Sequence, residues 1–292
     1  MEVENLCDTR DIHRRSYVIA GGTDGIGRGL ALHLLGRGDR VVAIASGAEK
    51  GQRFLASATS IGAADRAHFV RADLSTLTGM RAAVVEVGAW TSTLDGLVFG
   101  AQRFQPTRVE TGDGLEFTFA LNYLSRYVLG HELAAQLERA TVPVVLSLAG
   151  SGGLPGKIRW DDLQFVRDYR GRRAAMQASR CNDLLAVAYP ARHPGTNVRY
   201  VLFNPGFVRT AMADPLPTAQ RVLTKGLATV FARSVEETVP SLVELLDGPP
   251  AAPVSAWFRN RRVPLTGRDF DPPRAMRLDT VTAELLARAR SS

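Results

Sequence analysis

The chain has 292 residues, 45% of them hydrophobic, and carries a formal charge of +7 with a pI near 9.9. That length and apolar content support one large α/β domain or two small ones, and exclude a disordered tail or a mini-protein. The bases are scattered without a long basic run, which argues against nucleic-acid binding, and the apolar runs fall short of the roughly 18 residues that span a bilayer. Residues 1–15, MEVENLCDTRDIHRR, alternate acids and bases and lack the apolar run of a secretory signal, so they read as an N-terminal extension of a cytoplasmic protein. Ser16–Ala20 is apolar and β-branched, runs into a glycine cluster, and is followed over 28–35 by apolar residues at helical spacing: strand, turn, helix. Further buried strands are expected over 41–45, 67–70, 97–99, 142–148 and 198–203, separated by helix-length segments. Such alternation builds a Rossmann-type, doubly wound parallel sheet with helices on both faces, in one domain over 16–292. DGPPAAP, 247–253, reads as a surface connection to a C-terminal tail, about 248–292, that packs on the domain and ends in a helix over 279–288. Cys7 and Cys181 suggest neither a disulfide framework nor a zinc site, and the five histidines form no metal-ligand pattern.

The turn after the first strand is Gly21-Gly22-Thr23-Asp24-Gly25-Ile26-Gly27. Glycines here let the backbone turn tightly and approach a pyrophosphate, while the next helix points its N-terminal N–H groups at the anion. A lone glycine pattern is weak evidence, and a merely structural turn is the alternative. This one follows a strand and opens a helix, the context that dinucleotide binding requires.

The spacing Gly-x-x-x-Gly-Ile-Gly resembles the short-chain dehydrogenase/reductase superfamily, and other residues agree. The family's Asp-Leu after the third strand, which holds the adenine, matches Asp73-Leu74. Its Pro-Gly segment after the sixth strand, with a Thr contacting the nicotinamide carboxamide, matches Pro205-Gly206-Phe207-Val208-Arg209-Thr210. DGLEFTFALNYLSRYVLGHEL, 113–133, and GKIRWDDLQFVRDY, 156–169, are similar to its retinol-dehydrogenase-like branch. The resemblance implies cofactor contacts from Gly21, Thr23, Asp24, Gly25, Ile26 and Gly27, and from Ser46, Asp73 and Leu74. Gly100, Ala101, Pro205, Gly206, Val208 and Thr210 complete the set. The family's asparagines after the fourth strand are lost from Phe99-Gly100-Ala101-Gln102, although its small residues partly remain. The second strand ends in Ala45-Ser46 with no acid to repel a phosphate, and Lys50 and Arg53 lie nearby, so NADP is favoured over NAD. Asp24 argues mildly the other way.

In that superfamily a Tyr gives the proton, a Lys lowers its pKa and binds the ribose, a Ser polarises the carbonyl and an Asn supports a water relay. Asn122, in FALNYL, matches the Asn, although a residue bonding backbone at a helix kink reads the same way. In AAMQASR, 174–180, the Tyr place is Met176 and the Lys place Arg180. A thioether donates no proton. Arginine can grip hydroxyls through its fork, but a pKa above about 12 bars it from a proton relay. Lys50, Lys157 and Lys225 are the only lysines, so Arg for Lys suits the composition; Met for Tyr does not. The family's serines fall on Leu148 and Ala149. Ser147 and Ser151 are close enough to compensate, or are structural hydroxyls; Tyr169 is a candidate substitute acid, or a packed surface residue. His131 and His193 are expected on a helix and in a loop, without chemistry.

Three functions remain: an atypical NAD(P)-dependent oxidoreductase acting on an apolar small molecule, a non-redox enzyme (isomerase, cyclase or dehydratase) on the same fold, and a silent dinucleotide-binding module. The family analogy adds a homo-oligomer as an expected partner and an apolar pocket around Leu148, Met176 and Phe207.

Overall fold

The apolar runs become strands, and those at the centre of the sheet, such as Ser16–Ala20, Gly96–Phe99 and Val144–Leu148, are buried from end to end because both of their faces are covered. The computed structural model describes residues 14–206 and 234–290. Its elements are β1 (Ser16–Ala20), α1 (Gly25–Gly36), β2 (Arg40–Ala45), α2 (Ala48–Ser60), β3 (Ala67–Arg71), α3 (Leu77–Trp90) and β4 (Gly96–Phe99). A helical stretch follows, made of α4 (Phe117–Phe119), a π turn over Ala120–Leu124, α5 (Ser125–Glu132) and α6 (Ala134–Glu138). The remainder is β5 (Val144–Leu148), α7 (Gly171–Arg192), β6 (Arg199–Asn204), α8 (Val235–Asp247), β7 (Val254–Phe258), β8 (Arg261–Val263) and α9 (Pro272–Arg290).

All eight strands form one sheet in the order β3-β2-β1-β4-β5-β6-β7-β8, parallel except for β8. Alternate residues serve opposite faces. Val18, Val42, Leu97, Val145 and Leu202 join Leu129, Leu184 and Leu278 in one core; Ile19, Val41, Val98, Leu146 and Val201 join Leu34, Phe54 and Leu242 in the other. Each such large side chain contributes roughly 1.5–3 kcal/mol on burial. The chain runs outward from β1 to β3, then returns to place β4 on the other side of β1. That reversal opens a crevice at the carboxyl ends of β1 and β4, where ligands of doubly wound sheets bind.

Six strands were expected and eight are present among the described residues. The stretch after 247–253 adds β7 beside β6, and β8 turns back on it through Arg259, which adopts φ +53. The closing helix starts at Pro272, ahead of the expected 279, and packs on α7.

Candidate active site at the carboxyl edge of the sheet

At the end of β1 the site is made of backbone. Gly21 has φ +82, and a Cβ on it would lie 2.7 Å from the Ala101 nitrogen; one on Gly27 would lie 2.3 Å from the Gly21 oxygen. The Gly21 N–H donates to the Ile44 carbonyl at 2.8 Å, and the Gly100 N–H to that of Ala20 at 2.8 Å. The turn, α1 and the segment after β4 therefore meet at a distance only glycine allows. Thr23 is buried, and Ile26 packs against the core beneath α1. Asp24 caps α1, accepting from the Gly25 N–H at 2.8 Å, and pairs with Lys50. Backbone, lysine and Arg28 together hold its carboxyl below the usual range despite partial burial, the largest influence, which opposes them.

The adenine side is less committed. Ser46 is exposed, Leu74 is buried, and the exposed Asp73 accepts from the Ser75 N–H at 2.9 Å and hydroxyl at 2.7 Å. Lys50 and Arg53, taken as neighbours for a phosphate, are ion-paired with Asp24 and Glu49. Gly206, after Pro205, has φ +75 and lies against the Arg259 guanidinium, and its N–H donates to Asn204 Oδ1 at 2.9 Å. Phe207, Val208 and Thr210 lie outside the described residues, as does Cys7.

The catalytic candidates are held differently. Asn122 sits in the π turn; its side-chain oxygen accepts from the Arg103 N–H at 3.2 Å and its carbonyl from Asn182 Nδ2 at 2.9 Å. Ser147 is fully buried and accepts from Arg126 Nη1 at 2.7 Å, so it faces the core. Tyr169 donates to the Gln105 carbonyl at 3.1 Å and lies 3.2 Å from the Thr118 hydroxyl; burial raises its pKa. That bonding ties the phenol to the segments around 105 and 118, a stitching role and not that of a free acid. Met176 is half-buried on α7, with its carbonyl so close to Gly156 that a Cβ there would fall 2.3 Å away.

Arg180 is 4% exposed and internally committed: Nη1 lies 2.8 Å from Asp183 and 2.9 Å from Asp269, and Nη2 donates to the Leu154 carbonyl at 2.6 Å. Burial pushes Asp183 up to about 7, with Arg180 opposing and Asp269 adding to the rise. The turn at Gly150-Ser151-Gly152 is tied down on both sides: the Gly150 N–H donates to Ser179 Oγ at 3.0 Å and the Gly152 N–H to Asp183 at 3.2 Å. Phe270 packs on Gly152. Ser151 has φ +47, is buried, and its hydroxyl finds no partner among the described residues.

Asp183, Asp269, Asn182 and Arg126 escaped sequence reasoning. Asp183 had a local signal, an acid three residues after Arg180 on one helix face. The others act across the fold. Arg126 is buried, with desolvation pushing its pKa down to about 10. His131, on α5, and His193, just after α7, bond each other at 2.7 Å within an aromatic cluster that includes Tyr127 and Tyr189. Among the described residues no group of His, Cys, Asp or Glu is placed to hold a metal, and no helix is long and apolar enough to cross a membrane. The small depression at Glu138 and Pro194–Asn197 lies at the opposite end of β6 from this site.

The sheet order, the switch point and the glycine turn define a dinucleotide-binding type of α/β fold. The family model described as short chain dehydrogenase matches residues 15–159. Human retinol dehydrogenase 14 is 26% identical over 262 residues, covering 85% of this chain and 78% of that protein. The zebrafish (Danio rerio) polyprenol dehydrogenase is 28% identical over 242 residues, covering 80% and 74%. The structure of the Pseudomonas aeruginosa RhlG/NADP active-site complex superposes with a TM-score of 0.64 at 21% identity, over 84% of this chain and 94% of that one. The chain belongs to the short-chain dehydrogenase family, on its retinol-dehydrogenase-like branch.

Proposed function

We propose that the protein is an atypical oxidoreductase that holds a nicotinamide dinucleotide at the carboxyl ends of β1 and β4, acts on an apolar small molecule, and lacks the family's Tyr/Lys pair. The observation that carries this reading is the close approach at Gly21, Gly27 and Ala101: a bare backbone cradle at the mouth of α1 fits a pyrophosphate. Gly21, Gly25, Ile26 and Gly27 would hold that group, with Thr23 and Asp24 shaping the turn, Asp73 and Leu74 beside the adenine, and Gly100 and Ala101 along the cofactor. Pro205 and Gly206 would flank the nicotinamide end, with Val208 and Thr210 contributing beyond them. The absence of an acid at Ser46 favours NADP over NAD; the pairing of Lys50 with Asp24 and of Arg53 with Glu49 weakens that preference.

When bound, the dinucleotide supplies or accepts a hydride. The chain's own groups explain what is missing beside it. Met176 gives no proton, Arg180 is bonded to two carboxyl groups, and the Asn122 carbonyl already accepts one bond, from Asn182. Loss of a positioned general acid costs about 10²–10⁴ in rate, so simple ketones should be poor substrates. Tyr169 is stitched to Gln105 and Thr118, which leaves water as the proton source and suits a conjugated alkene, whose carbanion can wait for solvent.

The bonded state of Arg180 also favours a second reading, a non-redox enzyme or a silent dinucleotide-binding module. Incubation with NADPH deuterated at the transferable position, followed by mass spectrometry, separates them. Deuterium in apolar enones but not in matched ketones is expected; none in any product, with cofactor bound, would favour the silent module.

A further inference from the structure

The cluster of Arg180, Asp183, Asp269 and the Gly150–Gly152 turn is not needed to cradle a dinucleotide. We propose that Arg180 is the receptor for a carboxylate on the substrate, and that Asp269 occupies its place until the substrate displaces it. This deepens the reading above and rests on it for placing the substrate at this site.

One guanidinium nitrogen meets two carboxyl groups, one buried and one exposed. Asp183 is the fixed partner: it is 1% exposed, sits three residues along the same helix, and also accepts from Gly152. Asp269 is the removable one. It is 33% exposed and arrives on a three-residue turn, Gly267–Asp269, that begins at a glycine with φ +78.

Unused donors come next. Arg180 Nε and the Ser151 hydroxyl are buried without a partner among the described residues, and an unmet buried polar group costs about 1–3 kcal/mol. Asp269 meets Arg180 through one oxygen; a free carboxylate can turn both of its oxygens to the guanidinium fork and the hydroxyl. Ser151 is held at φ +47 between Gly150 and Gly152, which are anchored to α7 at Ser179 and Asp183, on either side of Arg180. A non-glycine residue kept in that region marks a place where the fold stores strain.

The surroundings set the rest of the ligand. Leu154 is 39% exposed and abuts Gly150, the Phe270 ring covers Gly152, and Met176 is half-buried on the same helix. A small carboxylic acid with an apolar body matches both halves. The assignment also gives Arg180 a reason to be arginine, since a lysine cannot bind a carboxylate through a planar fork.

The test is calorimetric titration of the full chain with octanoate and with methyl octanoate, with NADPH titrated separately. Octanoate should bind at least about tenfold more tightly than its ester. Asp269→Asn should tighten octanoate binding about tenfold by removing the internal competitor. Arg180→Lys, which keeps the charge and is checked for folding by thermal melt, should weaken it about tenfold. Equal affinity for acid and ester, no octanoate binding by the wild type and Asp269→Asn alike, or an unchanged affinity in Asp269→Asn would each overturn the proposal. NADPH binding without an octanoate response overturns the receptor alone. Octanoate binding without any dinucleotide binding overturns the cofactor reading and leaves the receptor standing.

Discussion

Around Gly21 the site is backbone packed on backbone, too close for any side chain between; around Arg180 it is side chains bonded to one another. The first arrangement is what the family needs for its cofactor, and it is built from glycines that cannot be exchanged cheaply. The second is a closed set of ion pairs and hydrogen bonds, in which Arg180 is held by Asp183, Asp269 and the Leu154 carbonyl. The contrast teaches where a change would act: in the first region on the path of the backbone after β1, in the second on side chains along one face of α7.

The contrast can be broken most forcefully at α7. Arg180→Met leaves Asp183 buried without its partner; because that carboxyl can take up a proton, the loss should be about 1–3 kcal/mol at neutral pH, read from denaturant melts. Adding Asp183→Leu should restore most of that loss, and NADPH affinity should change less than about threefold throughout if the two ends are independent. At the other end, Gly21→Val places a side chain against Ala101 at a positive φ, and should cost about 1–3 kcal/mol and abolish dinucleotide binding.

Titration should sharpen the contrast further. Burial raises Asp183 from 3.8 to about 7, so the folded state binds the extra proton and stability falls as pH rises from about 4 to 7. Burial lowers His131 from 6.5 to about 3, helped by His193 and Arg192, so there the unfolded state binds the extra proton and stability falls as pH drops from 6.5 towards 3. Each slope approaches about 1.4 kcal/mol per pH unit, and the two oppose each other between pH 4 and 6.5. With His193, also lowered by burial, adding to the His131 side, wild-type stability should change less steeply there than that of a variant lacking either Asp183 or His131. His131→Phe should expose the falling slope of Asp183, and Asp183→Asn the rising slope of His131.

The smallest effect is expected from repairing the motif. Met176→Tyr with Arg180→Lys should raise ketone reduction less than about tenfold, because Leu148 and Ala149 still stand at the serine places and Asn182 still bonds the Asn122 carbonyl. A gain above about a hundredfold would mean that the catalytic end is merely worn.

Six of the strands were legible because a strand buried on both faces must be continuously apolar, as in YVIA of β1 and VVAI of β2. β7 and β8 were not: VSAWF follows a proline-rich connection, RRV is basic, and Arg259 turns the hairpin where a glycine or asparagine would have signalled it. The glycine turn was readable because its geometry is local. Met176 and Arg180 were readable as departures from a pattern. The partners that redefine Arg180 were harder, since Asp269 reaches α7 from the far end of the chain and leaves no periodic trace. Ser147, which could be read as a catalytic or a structural hydroxyl, bonds Arg126 in the interior, a partner that lies 21 residues away and leaves no local signal.

The central claim is that the cofactor half of the site survives the loss of the proton-transfer half. Calorimetric titration of the full chain with NADPH and NADH tests it most directly. Binding of one or both in the micromolar range, unchanged in Met176→Leu, is the predicted result; silence towards both, and towards their oxidised forms, would contradict the account.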